Sequence, residues 1–168
     1  MHRANREQFI EKRNYYLKID QFENLKMKFY PILFLFCCAF GYAQSYSRQE
    51  KQLLSQTEKL DYLMQNNDSG IVNLFEKDVS FGHSNGWVQN LDDFKKDFSS
   101  KKVMYKEIRQ TEVSEIKKFN NTFSIRRKIS VSGLYKNQEF KMILSVLEIW
   151  IKKNSGWKLW SRQSVEVK

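Results

Sequence analysis

From Val103 to Val167 the chain reads as four long strand-like segments separated only by short clusters of turn-forming residues. The segments are Val103 to Lys118, a second marked by Phe123, Ile125, Ile129 and Val131, then Phe140 to Ile151, and Trp157 to Val167. Between them stand Asn120-Asn121, Lys136-Asn137 and Asn154-Ser155-Gly156, residue types that favour tight turns. Strands joined this tightly run antiparallel, because a parallel return needs a crossover of a dozen or more residues. Phe140 to Ile151 is apolar at both parities, the pattern of a central strand covered on both faces. Long strands with uneven pairing bend, and a bent sheet needs helices to cover its inner side.

Those helices are expected upstream. Ser45 or Ser47 can cap a helix running to about Asn66, with Leu53, Leu60 and Met64 on one face. Asn66 to Gly70 supplies turn formers, and Ile71, Val72, Leu74 and Phe75 predict a second, short helix. Asp78 begins a strand in which Val79, Phe81 and His83 share one parity. Asn85-Gly86 predicts a type I′ hairpin turn between Ser84 and Trp87. Asn90 then caps a helix from Leu91 to about Ser99. Helices followed by antiparallel strands give one α+β domain, its helices packed on one face of a strongly curved antiparallel sheet that encloses a pocket.

The N-terminal part reads differently. Lys26 and Lys28 precede 12 apolar residues, Phe29 to Phe40, and Gly41-Tyr42-Ala43 offers small residues for cleavage after Ala43. This is the order of an export signal, in a run shorter than the roughly 20 residues of a membrane span. The expected organisation is therefore a non-native or cleaved extension at 1–26 with translation starting at Met27, a signal peptide at 27–43, and a folded domain at 44–168. The expected location is periplasmic or extracellular, with membrane attachment only if the signal stays uncleaved. Cys37 and Cys38, the only cysteines, leave with that segment, so no thiolate chemistry is expected. Removing its seven basic and four acidic residues leaves 22 basic and 15 acidic. The basic pairs are scattered over helix ends and turns rather than gathered into a stripe with aromatics, which argues against nucleic acid as a partner.

Gly82-His83-Ser84-Asn85-Gly86 spells a nucleophile elbow, but an elbow needs a helix after the turn, and Trp87-Val88-Gln89 reads as a returning strand. His83 is instead either a satisfied core histidine or a pocket histidine that orients a ligand or moves a proton. With one histidine and no cysteine in the domain, neither a metal site nor a cofactor is expected. Tyr105, Arg127, Trp150 and Gln163 put polar tips or charge among apolar neighbours on predicted strands, and with His83 they form the candidate ligand-binding set. Arg127 is the most informative of these, since burying an unpaired guanidinium is costly; otherwise it stands exposed on a twisted strand.

The order of two helices, the Phe81-to-Gly86 F-x-H-S-N-G hairpin, a short helix, four long strands and the closing G-W-K-L-W-S-R-Q from Gly156 to Gln163 resembles the nuclear transport factor 2-like superfamily. It is most similar to the SnoaL-like group called domain of unknown function 4440, over about residues 47–167. The resemblance implies a cystatin-like cone, often dimeric through its sheet. It implies no single reaction, because relatives include isomerases, cyclases, dehydratases and binding modules. The expected function is exported binding of a small apolar or aromatic molecule in the cone. The alternatives are a cofactor-free isomerase, lyase or cyclase using His83 as acid–base, and a structural or protein-interaction module.

Overall fold

The computed structural model describes residues 45–168. The expected extension at 1–26 and the whole of the expected signal at 27–43 lie outside the described residues. Helix α1 is Arg48–Gln65. Ser47 caps it, accepting from the Glu50 amide while the Glu50 carboxylate accepts from the Ser47 amide. A 3₁₀ helix, Ser69–Leu74, follows, with Asp68 as its cap. Strand β1 (Phe75–Gly82) therefore begins three residues earlier than Asp78, and Phe75 joins the strand rather than the short helix. Then come β2 (Val88–Gln89), α2 (Leu91–Ser99) capped by Asn90, and the long strands β3 (Val103–Phe119), β4 (Thr122–Tyr135), β5 (Gln138–Lys153) and β6 (Gly156–Val167).

The strands form one six-stranded sheet in the order β2-β1-β6-β5-β4-β3, with helices on one face: the expected α+β cone. One pairing departs from the antiparallel expectation. When β6 returns from the meander it lies parallel to β1, so the sheet is mixed. Three register shifts bend β3 against β4, and another falls between β5 and β6, where Ile149 pairs with Ser161 but Trp150 pairs with Leu159. Trp160 is the extra residue at that bulge.

The hairpin turn also differs from expectation. The His83 amide donates to the Trp87 carbonyl (2.8 Å) and the Gly86 amide to the His83 carbonyl (3.1 Å). Only Gly86 has positive φ, 86°, whereas a type I′ turn would need it at Asn85 as well. The Asn85 side chain instead accepts from the Trp87 amide at 3.0 Å, which holds a three-residue loop closed by a left-handed glycine. The consequence is functional geometry: His83 and Trp87 become the closing pair and their rings stack at 5.2 Å. A two-residue turn with both φ positive does occur, at Lys136-Asn137 (47° and 68°) between the paired Tyr135 and Gln138.

Inward residues make two apolar clusters. One contains Leu53, Leu60, Phe81, Phe94, Trp150 and Leu159; the other is Ile129, Val131, Leu144 and Val146. Among the described residues β5 is covered on one face only. Leu144, Val146, Glu148 and Trp150 are buried, whereas Ile143 on the opposite parity is 47% exposed. Its two-sided apolar pattern thus reflects a second face that the described residues do not cover.

Candidate functional site

A belt of charge separates the two apolar clusters. Strand alternation places Arg127 between Ile125 and Ile129 on β4, and Glu148 between Val146 and Trp150 on β5, all facing inward. On β6 the alternation from Trp157 and Leu159 would continue to Ser161 and Gln163. The bulge at Trp160 shifts the phase, so Arg162 and Ser164 are buried instead. Arg162 then pairs in register with Glu148. Asp61 reaches the belt from α1.

Arg127 holds two carboxylates through its terminal nitrogens, and only its buried Nε lacks a partner. It donates through both terminal nitrogens to Asp61 (2.5 and 2.8 Å) and through Nη2 to Glu148 Oε1 (2.8 Å). Trp150 Nε1 donates to the other Glu148 oxygen at 3.1 Å. Burial alone would lower the Arg127 pKa, but Glu148 and Asp61 outweigh it and raise it. Burial likewise pushes the Glu148 carboxyl up, and Arg127 and Arg162 bring it below its ordinary value.

Next to the belt lies a cavity of about 730 Å³, bounded by β1, the hairpin loop, α2 and the inner face of the sheet. Phe81, Phe94, Val131 and Leu144 supply apolar wall. His83, Tyr105, Arg162 and Ser164 supply polar groups, and the exposed Trp87 and Tyr135 line its outer part. His83 Nε2 lies 2.7 Å from Gln89 Oε1. The Gln89 amide nitrogen donates to the Asp93 carbonyl (3.4 Å) and to Asp97 Oδ2 (3.3 Å). With the amide so assigned, Nε2 carries the imidazole proton and donates, leaving Nδ1 as the ring's free lone pair. Burial, opposed by the Gln89 hydrogen bond, lowers the His83 pKa and so favours the neutral ring. Burial also raises the Tyr105 phenol.

Of the candidate ligand-binding residues, His83 and Tyr105 line the cavity, and Arg127, Trp150 and Gln163 do not. Arg127 and Trp150 are spent on Glu148 and Asp61 in the belt. Gln163 donates to the carbonyls of His83 and Ser164, both at 3.0 Å, and so fastens the His83 hairpin to β6. Gly82 leaves room for it: a Cβ there would stand 2.1 Å from Gln163 Oε1 and 2.9 Å from the Arg162 carbonyl. Arg162, Ser164, Gln89 and Asp97 belong to the site although periodicity did not select them. Arg162 and Ser164 were hidden by the one-residue bulge, and Gln89 by the brevity of β2.

No family model matches this chain, and no curated protein matches it in sequence. Solved structures match it in shape. An NTF2-like protein from Cytophaga hutchinsonii has a TM-score of 0.67 at 19% identity, covering 72% of this chain and 100% of that one. A candidate dehydratase of the NTF2-like family from Streptomyces avermitilis has a TM-score of 0.63 at 14% identity, covering 70% and 95%. The CaMKII hub of S. rosetta has a TM-score of 0.58 at 15% identity, covering 70% and 95%. The chain has the NTF2-like fold, and identities this low speak for the fold alone.

Proposed function

We propose that residues 44–168 form an exported domain that binds a small apolar or aromatic molecule in the cone. The observation that carries this reading is the cavity itself. Its volume of about 730 Å³ falls within the roughly 300–1,000 Å³ of small-molecule sites, and its apolar walls carry a few convergent polar groups. The test is a thermal-shift screen of the full chain against cyclic and aromatic compounds. A binder raises the melting temperature in proportion to the logarithm of its concentration above Kd. A screen without any concentration-dependent shift overturns the proposal.

A second reading, acid–base catalysis by His83, draws support from the His83–Gln89–Asp97 chain. That chain orients the imidazole through Nε2 and leaves Nδ1 unpartnered among the described residues. If turnover of a screened compound is found, His83→Gln is expected to abolish it while leaving binding in place. Unchanged turnover removes His83 from the chemistry.

Export and pairing complete the proposal. Cleavage after Ala43 predicts a mature product beginning at Gln44, which intact-mass analysis of exported material reads directly. Self-association through the open sheet face is supported by exposed Ile143 and by Val165, 56% exposed, on the neighbouring β6. It is supported also by the hub domain among the structural neighbours. Val165→Lys is expected to turn a sedimenting dimer into a monomer; a monomeric parent chain rules the dimer out.

A further inference from the structure

Arg162 is 6% exposed, lines the cavity, and has almost nothing to hold. Its Nε is buried without a hydrogen-bond partner, as is that of Arg127, but in Arg162 the terminal nitrogens are unfilled as well. Its nearest carboxylate oxygen, Glu148 Oε1, is 3.5 Å away and already accepts from Arg127. Its terminal nitrogens make no protein hydrogen bond among the described residues; the guanidinium lies over the Phe81 ring at 4.7 Å. Two residues along the same face of β6, Ser164 Oγ is also buried without a partner and also lines the cavity. Buried polar groups are nearly always satisfied, and two orphans side by side on one cavity wall call for an external acceptor. The wall charge has the matching sign: Arg162, Lys102 and Lys136 stand against Asp97 alone.

We infer that the molecule held in the cone is a carboxylate with an apolar or aromatic body, its acid group received by Arg162 and Ser164 and its body lying along Phe81 and Phe94 toward His83 and Trp87. The inference rests on the pocket-binding reading above and adds the charged end. A guanidinium fork matches a carboxylate's two oxygens, whereas an amide offers it one acceptor and no charge. Glu148 does not occupy the position, because Arg127 and Trp150 hold its two oxygens. The lowered pKa of Arg162, caused by burial that Glu148 only partly offsets, fits a cation still short of one anion.

The experiment is calorimetric titration of the unmodified full chain at pH 7 with matched pairs: benzoate and benzamide, 2-naphthoate and 2-naphthamide, indole-3-acetate and indole-3-acetamide. The acid of at least one pair is expected to bind ten-fold or more tightly than its amide. Arg162→Gln is expected to reduce that ratio to near one by weakening the acid alone, and Ser164→Ala to reduce it several-fold. Equal binding of acids and amides by the unmodified chain overturns the inference and leaves the pocket reading standing. Binding of neither overturns both. An acid preference that survives Arg162→Gln and disappears in Lys102→Gln or Lys136→Gln places the recognition on the lysines and overturns the assignment to Arg162. Because the first comparison uses the unmodified chain, it stands even if a variant fails to fold.

Discussion

Arg127 and Arg162 are the same residue type on the same sheet, both buried, both beside Glu148, and they have opposite surroundings. Arg127 meets two carboxylates through three hydrogen bonds, and its partners overcome the cost of burial. Arg162 meets one carboxylate at ion-pair distance only, and burial wins. Nε is buried without a partner in both, so the difference lies in the terminal nitrogens, and a buried charge with those filled explains itself as structure. One with its donors unfilled, facing a cavity, marks a place for something else. The difference comes from position: Arg127 sits between α1 and the sheet, where Asp61 can reach it, and Arg162 sits where the wall opens.

The strongest way to break this comparison is to remove each arginine in turn. Arg127→Leu strands Asp61 and Glu148 in the interior, and removing one partner from a buried ion pair typically costs about 3–5 kcal/mol. Urea denaturation is expected to show that loss. Arg162→Leu leaves Glu148 held by Arg127 and Trp150, so the expected loss is about 1–2 kcal/mol, ordinary for a buried substitution. Equal losses would mean that Arg162 is as structural as Arg127.

The contrast also shows what was legible in the sequence. Arg127 was legible because β4 alternates without interruption from Phe123 to Val131, so its parity put it inside with Ile125 and Ile129. What it does there was not legible: its partner Asp61 is 66 residues away on a helix. Arg162 was not legible because one inserted residue at Trp160 reverses every later side chain on β6, and nothing in G-W-K-L-W-S-R-Q announces a bulge. The same slip made Gln163 look inward. The architecture survived such errors because helix caps, apolar periodicity and turn clusters are local signals. The site depends on register, which is settled between strands. The parallel β1–β6 pairing lay beyond local reading for that reason.

A smaller effect sharpens the Arg127 side. Trp150→Phe keeps the ring and removes the N–H that donates to Glu148 Oε2. The expected loss is about 1.5–3 kcal/mol if the hydrogen bond to the charged carboxylate is fully lost, and nearer 1 kcal/mol if Arg127 adjusts to share that oxygen. The acid limb of the stability curve separates these. Glu148 has a folded pKa below its ordinary 4.5, so its contribution is present above that value and fades as pH falls through the folded one. Loss of the indole donor raises the folded pKa, and the variant should begin to unfold at a higher pH than the parent; coincident acid limbs would show that Trp150 does not hold the charge.

The smallest effect tests the open side. His83 shares the condition of Arg162: burial, incompletely offset, lowers its pKa below the ordinary 6.5. The folded state then resists protonation while the unfolded chain accepts it, so stability is full above 6.5 and declines as pH falls toward the folded value. Gln89 and Asp97 act to raise the His83 pKa, and Arg162 acts to lower it. Arg162→Leu removes that repulsion, so the His83 value should move up toward 6.5 and its share of the pH-dependent loss should shrink. Proton NMR titration of the His83 ring in the two proteins reads this directly, with His83→Gln identifying its signal. An unmoved titration would mean that the guanidinium and the imidazole do not share the cavity's field, and the case for one continuous site running from Arg162 to His83 would fail.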